Sequence, residues 1–109
     1  ITMVEKSAKE HSVTILLKGP TDIISNGVRT YLNPTNTPGM TVGGTGDILS
    51  GIIAGMLARN RDALESAVIS AYFNGLAGKM IQKKLGHHMT ATDLLDALPA
   101  VMKSFDKIK

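Results

Sequence analysis

Residues 43–57 read GGTGDILSGIIAGML. A glycine-rich turn ends on one carboxylate, Asp47, and a strongly apolar run follows. Ile48, Leu49, Ile52, Ile53, Met56 and Leu57 leave few sides of a helical wheel polar. That pattern predicts a helix over residues 47–59, buried between layers. Gly51 and Gly55 stand one turn apart and permit close backbone approach. Each costs about 1 kcal/mol against Ala, so packing has to offset them.

Upstream lies NPTNTPGMTVGG, residues 33–44. Its Pro, Asn, Thr and Gly content forbids regular structure and predicts a functional loop of about a dozen residues. Before it, SVTILL (residues 12–17) is a β-branched and leucine run that predicts a buried strand ending at KGP. DIIS and VRTYL predict two more strands, with Asn26-Gly27 between them as a two-residue type I′ turn. TMVEKSAKEH at the start reads as a short polar helix.

Downstream, residues 62–85 predict a long helix with Asp62 as N-cap and Gly86 just past its end. Ala63, Ala67, Ala71, Gly75 and Gly78 make a small-residue stripe expected to face the preceding helix. Thr92 or Thr90 caps a last helix carrying Leu94, Leu95 and Leu98. Pro99 is costly inside a helix and is expected to start a separate piece, 99–107.

One apolar strand makes no sheet, and a hairpin cannot bury itself. VTILL is apolar nearly throughout, which fits a strand covered on both faces in a parallel sheet. Its parallel neighbours are not in this sequence. The expectation is therefore the C-terminal part of a three-layer α/β/α domain, residues 1–109, whose N-terminal part lies elsewhere. A first residue that is Ile rather than Met agrees with a chain cut from something longer.

Bulk properties narrow the function. At 109 residues the chain holds one small domain. Its net charge is +3, with lysines spread over what read as solvated helix faces, and few aromatics offer no stacking platform. Neither feature favours nucleic acid. The absence of cysteine rules out disulfides and thiolate metal sites. No run reaches the ~18 apolar residues of a membrane span, and no secretion signal opens the chain. Adjacent loop histidines, His87 and His88, rarely face one metal, so no protein metal site is expected.

The chemistry concentrates at residues 43–47. The first amides of a helix lack internal partners, and the helix dipole adds positive charge. Glycines let a ligand approach that backbone, which makes an anion site. No Walker A pattern is present. Asp47 has two readings. It is an ordinary helix cap, or it accepts a proton from a substrate hydroxyl as that hydroxyl attacks phosphorus. Lys18 likewise reads either as a strand-end lysine in solvent or as a nucleotide contact beside Gly19.

NPTNTPGMTVGGTGDILSGIIAGMLA resembles the signature of the ribokinase-like ADP/ATP-dependent NAD(P)H-hydrate dehydratases. LLKGPTDIISNG is similar to that family's strand and nucleotide-binding turn, and AYFNGLAGKM and TATDLLDALP to its last helices. The resemblance covers residues 14–99. It implies a ribokinase-like fold and phosphorylation of the hydroxyl on a hydrated nicotinamide ring by ADP or ATP. Loss of phosphate then restores NADH or NADPH. It also implies roles. Asp47 becomes base and substrate contact. Gly43, Gly44, Thr45 and Gly46 become the anion hole, with Gly46 also near the nucleotide. Lys18, Gly19, Pro20, Thr21 and Asp22 become the segment that wraps the nucleotide. Mg²⁺ is expected on the phosphates, and a cytoplasmic homo-oligomer is the expected setting. The pattern departs at Asn36-Thr37, where the family often has Gly-Asn, and at Asp22, where threonine is frequent. Asn74 stands where a His is common, and Lys79 where an Asp is common.

Two other functions stay open. A vitamin-precursor kinase of the hydroxymethylpyrimidine or hydroxyethylthiazole type would use Asp47 identically but release a phosphorylated product. A catalytically silent nucleotide-binding fragment would use neither.

Overall fold

The computed structural model describes residues 1–40, 43–59 and 61–105. Helix α1 (Thr2–His11) leads into three strands, β1 (Ile15–Leu17), β2 (Asp22–Ser25) and β3 (Thr30–Asn33). A single 3-10 turn, Pro38–Met40, precedes α2 (Thr45–Ala58), α3 (Ala63–Leu85) and α4 (Ala91–Lys103).

The three strands form one antiparallel meander in the order β1-β2-β3. Leu16 pairs with Ile24, and Ile24 with Tyr31. β1 therefore meets β2 antiparallel on one edge, and the parallel neighbours expected for it are not among the described residues. It is also less covered than its composition predicts. Ile15 and Leu16 are half-buried and Leu17 is 50% exposed. The outer edge of β1 pairs with no strand among the described residues. Apolar content reports that a strand is to be buried; it does not say which chain segment supplies the cover.

The hairpin differs from its expected form as well. β2 and β3 pair Ser25 with Thr30, leaving a loop of four residues, Asn26 to Arg29. Asn26 Oδ1 accepts from the N–H groups of Val28 (2.9 Å) and Arg29 (2.8 Å). That local side-chain turn replaces the two-residue type I′ geometry. Gly27 keeps a positive φ of 89°, and a β-carbon there would come within 2.8 Å of the Lys9 backbone of α1.

The helices follow from caps and packing. Asp62 caps α3 by accepting from Glu65 N–H, and α3 ends at Gly86 with φ 63°. The small-residue stripe divides in two. Ala67 and Ala71 pack with Leu49 of α2 and with Ile24. Gly75 and Gly78 do not face α2. A β-carbon at Gly75 would run into the Thr35 hydroxyl, and one at Gly78 into Met40 Sδ. These glycines admit the loop. Gly51 and Gly55 of α2 have no described atom within 4 Å of a β-carbon position, so the expected close approach is absent among the described residues.

Helix α4 runs unbroken through Pro99. The proline has no N–H for the Leu95 carbonyl. Leu95 is 54% exposed and Pro99 lies on the same open face, so water can take that carbonyl. Thr90, not Thr92, is the cap, and it forms a reciprocal box with Asp93. The larger core joins Phe73, Ala77 and Ile81 of α3 to Leu94, Leu98 and Val101 of α4, with Met40 and Met89 filling between. The proposed extension of this helical region beyond 105 lies outside the described residues.

Candidate functional site

Two chain segments far apart in sequence meet at one cleft of about 620 Å³. The turn after β1 contributes Lys18, Gly19 and Pro20. The loop after β3 contributes Asn36, Thr37, Pro38 and Met40, and the start of α2 contributes Thr45 and Gly46. Of the expected anion hole, Thr45 and Gly46 thus lie beside the expected nucleotide turn, whereas Gly43, Gly44 and Asp47 are not among the lining residues.

The α2 terminus is open. Its N-cap is Gly44, with φ 95° and no capping side chain. A β-carbon at Gly43 or Gly46 would meet nothing within 4 Å. Among the described residues the N–H groups of Gly46 and Asp47 have no acceptor. Thr45 Oγ1 donates to the Met40 carbonyl at 2.9 Å, which ties the glycine turn to the 3-10 segment. Met40 itself is buried, 6% exposed, and packs into the larger core.

Asp47 is not the N-cap. The helix begins two residues earlier than composition suggests, and Asp47 is its third residue. Its side chain is exposed and makes no hydrogen bond or ion pair among the described residues. The capping reading of Asp47 therefore fails, and the carboxylate lies in the first turn of α2, next in sequence to the cleft-lining Gly46, with no partner among the described residues.

Asp22 has the opposite surroundings. It is 0% exposed and does not line the cleft. Its Oδ1 accepts from Gly19 N–H (3.2 Å) and Asn36 Nδ2 (2.8 Å), and Oδ2 accepts from Asn33 Nδ2 (3.0 Å). Lys18 Nζ lies 3.2 Å from Asp22 Oδ1, and its side chain is 40% exposed. Lys18 is therefore neither free in solvent nor buried. Thr21 is exposed and outside the cleft lining.

Asn36, Thr37 and Pro38 were not among the site residues expected from the sequence, where Asn36-Thr37 appeared only as a departure from the family pattern, yet all three line the cleft. The available signal was the length of the loop, which pointed to function without telling which positions turn inward. No group of three His, Cys, Asp or Glu side chains able to hold a metal occurs among the described residues. No described helix is long and apolar enough to cross a membrane.

Residues 1–100 match the model of the NAD(P)H-hydrate dehydratase family. The chain belongs to that family. It is 62% identical over 108 residues to an ADP-dependent (S)-NAD(P)H-hydrate dehydratase of Nitrosopumilus maritimus, covering 99% of this chain and 38% of that protein. It is 47% identical over 105 residues to a bifunctional NAD(P)H-hydrate repair enzyme of Pyrobaculum aerophilum, covering 96% of this chain and 21% of that protein. The ADP/ATP-dependent NAD(P)H-hydrate dehydratase of Bacillus subtilis, co-crystallised with ATP/Mg²⁺, superposes with a TM-score of 0.89 at 31% identity. The match covers 96% of this chain and 40% of that one. The fold is accordingly that of a carbohydrate-kinase-like α/β domain. The chain spans about two fifths of the length of these dehydratases.

Proposed function

We propose that the complete protein carrying this segment dehydrates (S)-NAD(P)H-hydrate at the expense of ADP or ATP. The observation that carries the reading is the cleft, which joins the Lys18–Pro20 turn to the uncapped start of α2 beside an unpartnered Asp47. Names of relatives in the same family support it.

The residues divide the work as follows. The turn at Lys18, Gly19 and Pro20 and the wall at Asn36–Pro38 receive the nucleotide. The amides at Gly46 and Asp47 and the dipole of α2 stabilise charge on the phosphoryl group in flight. Asp47 takes the proton of the ring hydroxyl as its oxygen attacks phosphorus. The O–P bond to the nucleotide breaks, so ADP leaves as AMP. The phosphorylated ring then loses phosphate with its C–O bond, a neighbouring carbon gives up a proton, and the ring double bond returns. No oxidant or reductant is needed.

Mg²⁺ fits this site only as a passenger of the nucleotide. With no cluster of acidic side chains among the described residues, its ligands would be phosphate oxygens, with Asp47 the nearest carboxylate in sequence to the amides that meet them. It would neutralise phosphate charge.

The remainder of the domain belongs to the proposal. Val13 and Leu17 are 47% and 50% exposed, and β1 has a free edge among the described residues. Exposed strand edges with apolar side chains need cover. The remaining length of the related dehydratases supplies it, together with further substrate contacts.

The test is product analysis on the complete protein. Hydrated NADH with ADP should yield NADH, AMP and phosphate. A stable phosphorylated vitamin precursor, with no action on the hydrate, would make it a kinase instead. Nucleotide binding without either product would leave a silent binding module.

A further inference from the structure

Asp22 is an acid in a fully buried position, and four donor groups converge on it. Gly19 N–H, Asn33 Nδ2, Asn36 Nδ2 and Lys18 Nζ all lie within 2.8–3.2 Å of its oxygens. Asn36 is bound twice. Its Nδ2 donates to Asp22 Oδ1 at 2.8 Å and to the Gly19 carbonyl at 2.9 Å. Both amide hydrogens of Asn36 are thereby used, and its orientation is set. Lys18, Gly19 and Asn36 all line the cleft, the first two from the turn after β1 and Asn36 from the loop after β3. Asn33 adds a third anchor, since its Nδ2 also donates to the Ala71 carbonyl of α3 at 3.0 Å. One buried carboxylate therefore binds both of these lining segments and, through Asn33, is tied to α3.

We propose that Asp22 is a positioning residue: with Asn36 it clamps the Lys18–Pro20 turn to the Asn36–Pro38 segment and sets the width of the nucleotide cleft. The inference rests on the reading that this cleft takes the nucleotide. The charge matters as well as the shape. A carboxylate is acceptor-only, so none of the four donors meets a hydrogen: three share Oδ1 and the Asn33 amide takes Oδ2. An amide in its place offers one acceptor oxygen and turns two hydrogens toward donors.

The experiment uses the complete protein with Asp22→Asn, Asn36→Ala and the double variant. Steady-state kinetics with ADP and hydrated NADH are read beside ADP affinity by calorimetry and a thermal melt. Each single variant should raise the KM and Kd for ADP roughly tenfold, the size of one lost charge-assisted hydrogen bond. The KM for the hydrated dinucleotide should move less than about twofold, since the loss of the clamp removes uniform binding of ADP alone. The double variant should be no worse than Asp22→Asn, because the two residues act as one unit. An unchanged ADP affinity in folded Asn36→Ala overturns the proposal. So does an additive double variant, or a fall in kcat at constant KM for ADP. Should Asp22→Asn fail to fold, Asn36→Ala alone decides, since it leaves Asp22 three of its donors. Protein that binds ADP but does not restore NADH would overturn the proposed reaction, while the affinity measurements still judge the clamp.

Discussion

The N-termini of α2 and α4 touch, where a β-carbon on Gly44 would come within 2.9 Å of the Ala91 methyl, yet they are finished in opposite ways. α4 begins with Thr90, whose hydroxyl accepts from Asp93 N–H at 3.2 Å. Asp93 returns the bond by accepting from Thr90 N–H at 2.8 Å. α2 begins with Gly44 and has no side-chain cap. Both helices carry an aspartate at the third position. Asp93 is spent on the helix, and Asp47 is spent on nothing among the described residues. An uncapped helix start leaves out about 1 kcal/mol of available stabilisation. What α2 keeps in exchange is a set of open amides next to a free carboxylate. The same backbone physics closes one terminus and leaves the other open, and the choice of Gly or Thr at the cap decides which.

The severest way to break this contrast is Asp47→Asn. The variant should lower turnover of the complete protein by ~10²–10⁴-fold, the usual general-base contribution. Its melting temperature should stay near the parent's, since Asp47 holds no partner in the fold. Turnover above about a tenth of the parent's would return Asp47 to a structural role. Next in size is Gly46→Val. A β-carbon there meets no described atom, so the fold has room for it. The branched side chain would fill the approach to the amides and weaken ADP binding by about tenfold or more. Stability should change by less than about 1 kcal/mol, since Val is no worse a helix former than Gly. Unaltered ADP affinity by calorimetry would move the anion site away from α2.

Much of this arrangement was legible in the sequence because it is local. Asp62 as cap, Gly86 as terminator and the glycine turn before α2 each follow from residues within one turn of one another. The family could be read from residues 33–58 for the same reason. Non-local matters were hidden. β1 reads as a strand covered on both faces, but cover comes from partners that composition does not name. Asp22 reads as one of five residues around a nucleotide. Its burial depends on Asn33 and Asn36, eleven and fourteen positions later. At Asp22 and Asn36 the sequence departs from the pattern it resembles, and the two residues meet at 2.8 Å. Each departure is uninformative alone, and only the fold pairs them. Pro99 shows the converse error. A local rule ended the helix, and tertiary packing of Leu94, Leu98 and Val101 against α3 overrode it.

The gentlest test of the comparison is Thr90→Ala at the capped terminus. The hydroxyl accepts from Asp93 N–H, and its loss also frees the Asp93 carboxylate to swing out. Cap removal of this kind costs about 1 kcal/mol. In a complete protein of the size of the related dehydratases, that corresponds to a fall of roughly 2–4 °C in melting temperature. Ala91 would stay against Gly44, because α4 is held along its length by Leu94, Ala97, Leu98 and Val101 in the larger core. ADP affinity should therefore remain within about twofold of the parent, well below the 1.4 kcal/mol of a tenfold change. A larger loss of affinity with the same small loss of stability would mean that the two termini are mechanically joined through the Gly44–Ala91 contact. The cap on α4 would then help to shape the open end of α2, and the division between a stabilising terminus and a chemical one would have to be redrawn as a single unit.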